Sequence, residues 1–302
     1  MHCLLPTKGP PPPDCPLPLT YSLSSPMQLR FLGTGTSAGI PVIACDCSVC
    51  TSTDPRDTRT RCSATLEFTD PTGTDRVILI DTSPDLRTQV LRENITRIDA
   101  ILFTHNHVDH TFGLDEVRRF NEVMKQTIPI YADEHTMNAL GRVYQHIFSP
   151  HTNIQSSFIA SLEPTIIFPY EPFTLFGLTI TPVTLMHGKL PILGYLFEQP
   201  SPEANQPDLL PLAYCTDVSH IPDDSMPHLE RANTLVLDAL RERPHKTHFT
   251  VEQAVEAARQ INASRTYLIH MTHDLAHQTT DTALPDDINL AYDGLIIPES
   301  GF

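Results

Sequence analysis

Long hydrophobic runs are missing from this chain. Its most apolar stretches, RVILI at 76–80 and TLVLDAL at 234–240, are far shorter than a membrane span, which needs about 20 residues. No basic, apolar, small-residue leader precedes them, so a cytoplasmic location without membrane contact is expected. Basic residues are scarce too: 20 Lys and Arg stand against 36 Asp and Glu, a formal net charge of −16. A general nucleic-acid binder needs many cations for phosphates, so nucleic acid is not an expected partner. LGTGTSAG, with Gly33 and Gly35, lacks the Lys and the third glycine of the Walker and Rossmann loops. It is expected instead to form a tight turn. A spaced disulfide framework is also lacking. The seven cysteines are an odd number, and three of them crowd into CDCSVC at 45–50, a pattern better suited to metal than to a secreted scaffold. Cys3, Cys15, Cys62 and Cys215 read as small buried hydrophobes without a role.

What is present suits one large domain. The 302 residues are 40% hydrophobic, enough for a sizeable core. Residues 1–26 hold eight prolines and no apolar period, so a disordered tail is expected there, with the folded domain spanning 27–302. MQLRFLG, SATLEFT, RVILIDT and IDAILFTH read as strands, and 84–94, 114–125 and 133–148 have helical spacing. A second run follows: strands in 173–187, 193–199, 212–217 and 234–240, a helix over 250–261 and a strand at 265–270. Thr250 is the expected N-cap, with Glu252 one position short of a capping box. Two runs of strands closed by helices predict two sheets packed face to face with helices outside. Residues 149–170 and 198–211 read as surface loops.

HNHVDH, at 105–110, places three histidines and an aspartate straight after a buried strand. Metal ligands must converge from rigid elements. Alternation lets His105 and His107 point one way and Asp109 and His110 another, so one loop can serve a pair of ions as in hydrolytic two-metal sites. His187, Asp217 and His270 each end a further apolar strand.

The H-x-H-x-D-H motif, followed by separate His, Asp and His after strands, resembles the metallo-β-lactamase superfamily. The resemblance implies an α/β fold, the αββα four-layer sandwich, over residues 27–300. FLGTGTSAGIPVIACDCSVC, IDTSPD, HGKLPILGY, HFT and LIHMTHD look more narrowly like the phosphoribosyl 1,2-cyclic phosphate phosphodiesterase family. That likeness implies one divalent metal on His105, His107 and His187 and a second on Asp109, His110 and His270, with Asp217 bridging. The His and carboxylate set accepts manganese or zinc. It also implies a homodimer.

Cys45, Cys47 and Cys50 are one ligand short of tetrahedral zinc. His273, on the turn after His270, is the candidate fourth, and the phosphodiesterase family carries a structural zinc on matching positions. His248, just before the 250–261 helix, is the candidate general acid, again where the family has a histidine, while Asp109 and Asp217 are expected to orient the metal-activated hydroxide. Lys189 and Arg241 are candidates to grip a phosphate. The expected activity is a di-metal phosphodiesterase acting on a small cyclic or nucleotide-like phosphate ester. Competing readings are a tRNA 3′ endonuclease, a lactonase or thioesterase, and a non-catalytic metal-binding protein. An acidic chain without a basic, glycine-rich arm weighs against the first, and a spare histidine beside a full ligand set against the last.

Overall fold

The computed structural model describes residues 27–154, 158–199 and 208–298. The proline-rich segment 1–26 lies outside them. Two seven-stranded sheets form the frame. The first contains β1 (Gln28–Gly33), β2 (Ser63–Thr69), β3 (Asp75–Ile80), β4 (Ala100–Leu102), β5 (Ile128–Ala132) and β6 (Leu162–Ile166), in that spatial order. The second runs from β7 (Phe173–Leu175) through β8 (Leu178–His187), β9 (Leu190–Glu198), β10 (Leu212–Cys215), β11 (Thr234–Asp238) and β12 (Arg265–Ile269) to β13 (Ile288–Leu290). The last strand, β14 (Ile296–Ile297), returns to pair antiparallel with β1.

Period-two alternation decides which face each residue serves. On β3, Ile78 and Ile80 enter the cluster between the sheets while Leu79 joins the outer one. On β9, Leu193, Tyr195 and Phe197 point inward and Ile192 and Leu196 outward. Because one face packs on the other sheet and one on helices, β10, β11 and β12 read as nearly continuous apolar runs. The helices are α1 (Leu86–Arg92), α2 (Val108–Thr111), α3 (Arg118–Met124), α4 (Glu134–Val143), α5 (Gln145–Phe148), α6 (Met226–Leu229), α7 (Val251–Ile261) and α8 (His277–Ala283). Leu114, Val117, Phe120 and Leu140 pack on the first sheet; Val251, Ala254, Ala258 and Ile261 of α7 pack on the second. The result is the expected αββα sandwich.

Three expectations need correction. Residues 162–166, read as loop, form β6, an edge strand paired with β5 whose exposed face and Pro164 hid its period. Thr250 caps α7 in a full capping box, with Gln253 rather than Glu252 returning the bond to the cap N–H. Gly33 and Gly35 do not make a tight turn. Gly33 ends β1, and a Cβ there would stand 2.1 Å from the Arg61 carbonyl oxygen, so close backbone approach is what demands glycine. No helix of the described residues is long and apolar enough to cross a membrane.

Candidate metal centre

In open α/β sheets, ligands gather beyond the carboxyl ends of parallel strands. Here Asp217 lies two residues past β10, Asp238 ends β11 and His270 follows β12, while His187 ends β8. Asp217 (φ 58°) and His270 (φ 64°) both take the left-handed conformation, which is uncommon for non-glycine residues and recurs at functional sites. Opposite them, the segment leaving β4 supplies His105 and His107, and the short helix α2 supplies Asp109 and His110.

The seven sequence-predicted residues come together in two adjoining groups. Ligand atoms of His105, His107 and His187 lie within 4.8 Å of one another, and so do those of Asp109, His110, Asp217 and His270. His105 Nε2 stands 4.0 Å from Asp217 Oδ1, joining the groups. His110 Nε2 is 3.1 Å from Asp217 Oδ2, and His270 Nε2 is 3.2 Å from Asp217 Oδ1. All but His107 are buried. Yet the Nε2 atoms of His105, His110 and His270 have no hydrogen-bond partner. Buried lone pairs aimed at buried carboxylates are costly unless a cation completes them, so the donor set fits a pair of divalent ions.

Electrostatics agree. Burial pushes the His105 imidazole well below its ordinary value, favouring the neutral form a metal needs. Burial would also lower His110, but Asp217, Asp109 and Asp81 outweigh it and hold that ring well above. Burial would raise Asp217, yet His270 and His110 hold it well below the usual carboxylate range. The carboxylates thus call for positive charge at His110 and His270, which a divalent cation held there would supply in place of protons.

Two carboxylates that the sequence reading missed stand behind this layer. Asp81 (φ 59°), just past β3, lies 2.7 Å from His110 Nδ1 and accepts from the Thr104 N–H and hydroxyl. Such a partner fixes the ring so that Nε2 faces the site. Asp238 Oδ1 lies 3.1 Å from His248 Nδ1 and 3.4 Å from His270 Nδ1, and Oδ2 accepts the Phe249 N–H. Both end apolar strands, the signal that pointed to Asp217. His248 is buried, its ring stacked on His270 with centroids 4.6 Å apart. Burial and the His270 charge push it down to about 3. Lys189, in the turn between β8 and β9, is exposed, and Arg241, past β11, donates from Nε to the Arg243 carbonyl.

The cysteine cluster closes as expected. Cys45, Cys47 and Cys50 place their Sγ atoms 3.2, 3.5 and 3.4 Å from His273 Nδ1. Three sulfurs converging on one nitrogen exceed what a single N–H can serve, and the S₃N set fits tetrahedral zinc. The fully buried Arg59 holds the turn that carries His273, donating to the carbonyls of Thr272 and Leu275 at 3.0 and 2.7 Å.

Comparison with known proteins agrees with this geometry. The Beta-lactamase superfamily domain family matches residues 76–271. A solved structure described as a new diphosphatase from the PhnP family is 40% identical, covers 90% of this chain and 96% of its own, and superposes with a TM-score of 0.78. A curated protein of Porphyromonas gingivalis named octanoyltransferase is 34% identical over 91% of this chain. Coenzyme PQQ synthesis protein B of Methylobacterium nodulans is 27% identical over 55% of it. The chain spans about half the length of these curated relatives, 52% and 54%. Human tRNase Z, short form, at 19% identity and a TM-score of 0.62, shares the fold.

Proposed function

Because the chain belongs to the metallo-β-lactamase superfamily, close to its PhnP family, we propose that this metal-dependent hydrolase cleaves phosphate diesters of small, nucleotide-like molecules. The observation that carries the reading is the His248–Asp238 pair at the edge of the ligand set. A site that merely stored metal would have no use for it.

The residues divide the work. His105, His107 and His187 would hold one divalent ion and Asp109, His110 and His270 the other, with Asp217 between them. Ions so held supply Lewis acidity to a phosphoryl oxygen and lower the pKa of bound water. Asp81 fixes the His110 ring, and the Thr247 carbonyl, 2.8 Å from His187 Nδ1, does the same for His187. Asp109 and Asp217 would orient the attacking water by accepting hydrogen bonds from it. Asp238 holds the Nδ1–H of a ring that is neutral before reaction, which leaves Nε2 free to take up the proton the attacking water gives up and pass it to the departing alkoxide. A positioned acid contributes about 10²–10⁴-fold. His273 with Cys45, Cys47 and Cys50 would hold a structural zinc that ties the 40–50 loop to the turn after β12.

The test is elemental analysis of the purified protein, paired with hydrolysis of thymidylyl-(3′→5′)-thymidine after Mn²⁺ or Zn²⁺ loading. Turnover that collapses in His248→Ala, with metal content retained, is the expected result. Full metal loading without diester turnover would overturn the reading. The octanoyltransferase relative motivates a second one, hydrolysis of acyl esters or thioesters, so octanoyl thioesters belong in the same assay.

A further inference from the structure

The helix α2 that carries Asp109 and His110 is only four residues long, Val108–Thr111. A single turn cannot hold its own place, because nucleating a helix orders several residues for one hydrogen bond. Yet His110 Nε2 and Asp109 Oδ2 stand 3.4 Å apart, grouped with Asp217 and His270. The helix must be fixed from outside.

Two residues distant in sequence hold its C-terminal end. Thr82, fully buried, donates its N–H to the His110 carbonyl at 2.7 Å and its hydroxyl to the Thr111 carbonyl at 3.1 Å. Its own carbonyl accepts the Gly113 N–H at 2.9 Å. Tyr144, between α4 and α5, donates its hydroxyl to the same Thr111 carbonyl at 2.9 Å. Burial pushes that phenol up to about 12, so it keeps the proton it donates. The last carbonyls of a helix have no partner within it, and Thr111 is buried, so its carbonyl needs donors from elsewhere. Two hydroxyls meet there. Asp81, one residue before Thr82, fixes the ring of His110, so neighbouring residues after β3 set both the ring and the backbone of one ligand.

We propose that Thr82 and Tyr144 are positioning residues that clamp α2 by its last carbonyl and so set the affinity for the ion on Asp109, His110 and His270. The inference rests on the assignment of a metal pair and not on the ester that is cleaved. The ion on His105, His107 and His187 draws no ligand from within α2, since His107 stands at its N-cap. Its affinity is therefore independent of the clamp.

The test is stepwise Mn²⁺ titration of the protein with its S₃N site filled by zinc, followed by calorimetry and by the paramagnetic resonance of free Mn²⁺. Wild type is compared with Thr82→Val, Tyr144→Phe and the double variant. Either single variant leaves one hydroxyl on the carbonyl, and the ion on Asp109, His110 and His270 is expected to bind roughly 2- to 5-fold more weakly. The double variant leaves the carbonyl bare, and a loss of roughly 10- to 100-fold, more than the product of the single losses, is expected. The other ion should bind as in wild type, and Thr82→Ser beside Tyr144→Phe should keep the affinity that Thr82→Val loses. Single losses that simply multiply, or equal weakening of both ions, would overturn the clamp. If the double variant does not fold, the single variants decide: selective weakening of one ion sustains the clamp, and unchanged binding removes it. Should wild type bind no pair of Mn²⁺ ions, the metal-pair reading fails and the clamp falls with it. Should it bind the pair and the variants match it, the clamp alone fails.

Discussion

Asp238→Asn changes one oxygen to an amide nitrogen at a site with no exposure. One carboxylate oxygen accepts the Phe249 N–H, which cannot turn away because it belongs to the backbone. The asparagine carbonyl must stay there, and its NH₂ then faces His248 Nδ1, where the carboxylate lay at 3.1 Å. Donor against donor is relieved only if Nδ1 gives up its proton, so the ring's single proton moves to Nε2, which can then no longer take up the proton of the attacking water and relay it to the alkoxide. The cost is the whole acid contribution, about 10²–10⁴ in kcat, or about 3–5 kcal/mol of barrier. The loss should be large for thymidylyl-thymidine, whose alkoxide needs a proton. It should be slight for bis(p-nitrophenyl) phosphate, whose phenolate leaves without one. Steady-state kinetics on both esters, with metal content measured alongside, make the comparison. Equal losses on the two esters at unchanged metal content would refute the argument.

Other outcomes follow from the same geometry. His273→Ala should lose one metal equivalent per chain, lower the thermal midpoint and expose thiols to titration; retention of that equivalent would remove the zinc assignment. Gly33→Ala forces a Cβ to 2.1 Å from the Arg61 carbonyl and should yield little folded protein, read by expression and circular dichroism. Thr250→Ala removes the bond that the Thr250 hydroxyl accepts from the Gln253 N–H at the start of α7 and should cost about 1 kcal/mol in urea unfolding. Burial would raise the Glu67 carboxyl, but Arg30 and Gln28 outweigh it and hold it below its usual value. Its stabilisation is therefore present above the unfolded pKa of about 4.3 and lost as pH falls through the lower folded pKa. Glu67→Gln should flatten that acid limb of the stability curve.

Most of the candidate metal site was legible because its ligands fall in a six-residue motif or at the ends of largely apolar strands. HNHVDH could be read without any tertiary information, and His187, Asp217 and His270 needed only a sheet edge to gather them. Asp81 and Asp238 carried the same strand-end signal but stood alone, and only the packed structure shows each beside a histidine. Strand β6 was hidden for a different reason. Its residues are nearly all exposed, so it is held by backbone pairing rather than by a buried face. Gln253 was overlooked because the cap was sought at an acidic position, although the reciprocal bond needs only a side-chain oxygen.

His270 and His273 lie three residues apart on a single turn, and each supplies the last member of its cluster. A polypeptide made from its N-terminus exposes three thiols and the HNHVDH loop long before either histidine emerges from the ribosome. Both centres are therefore assembled late and nearly together. The nascent protein spends most of its synthesis with reactive thiols and partial, low-affinity ligand sets. Ions offered earlier would meet incomplete ligand sets, and the turn that carries both histidines would shut the two centres together.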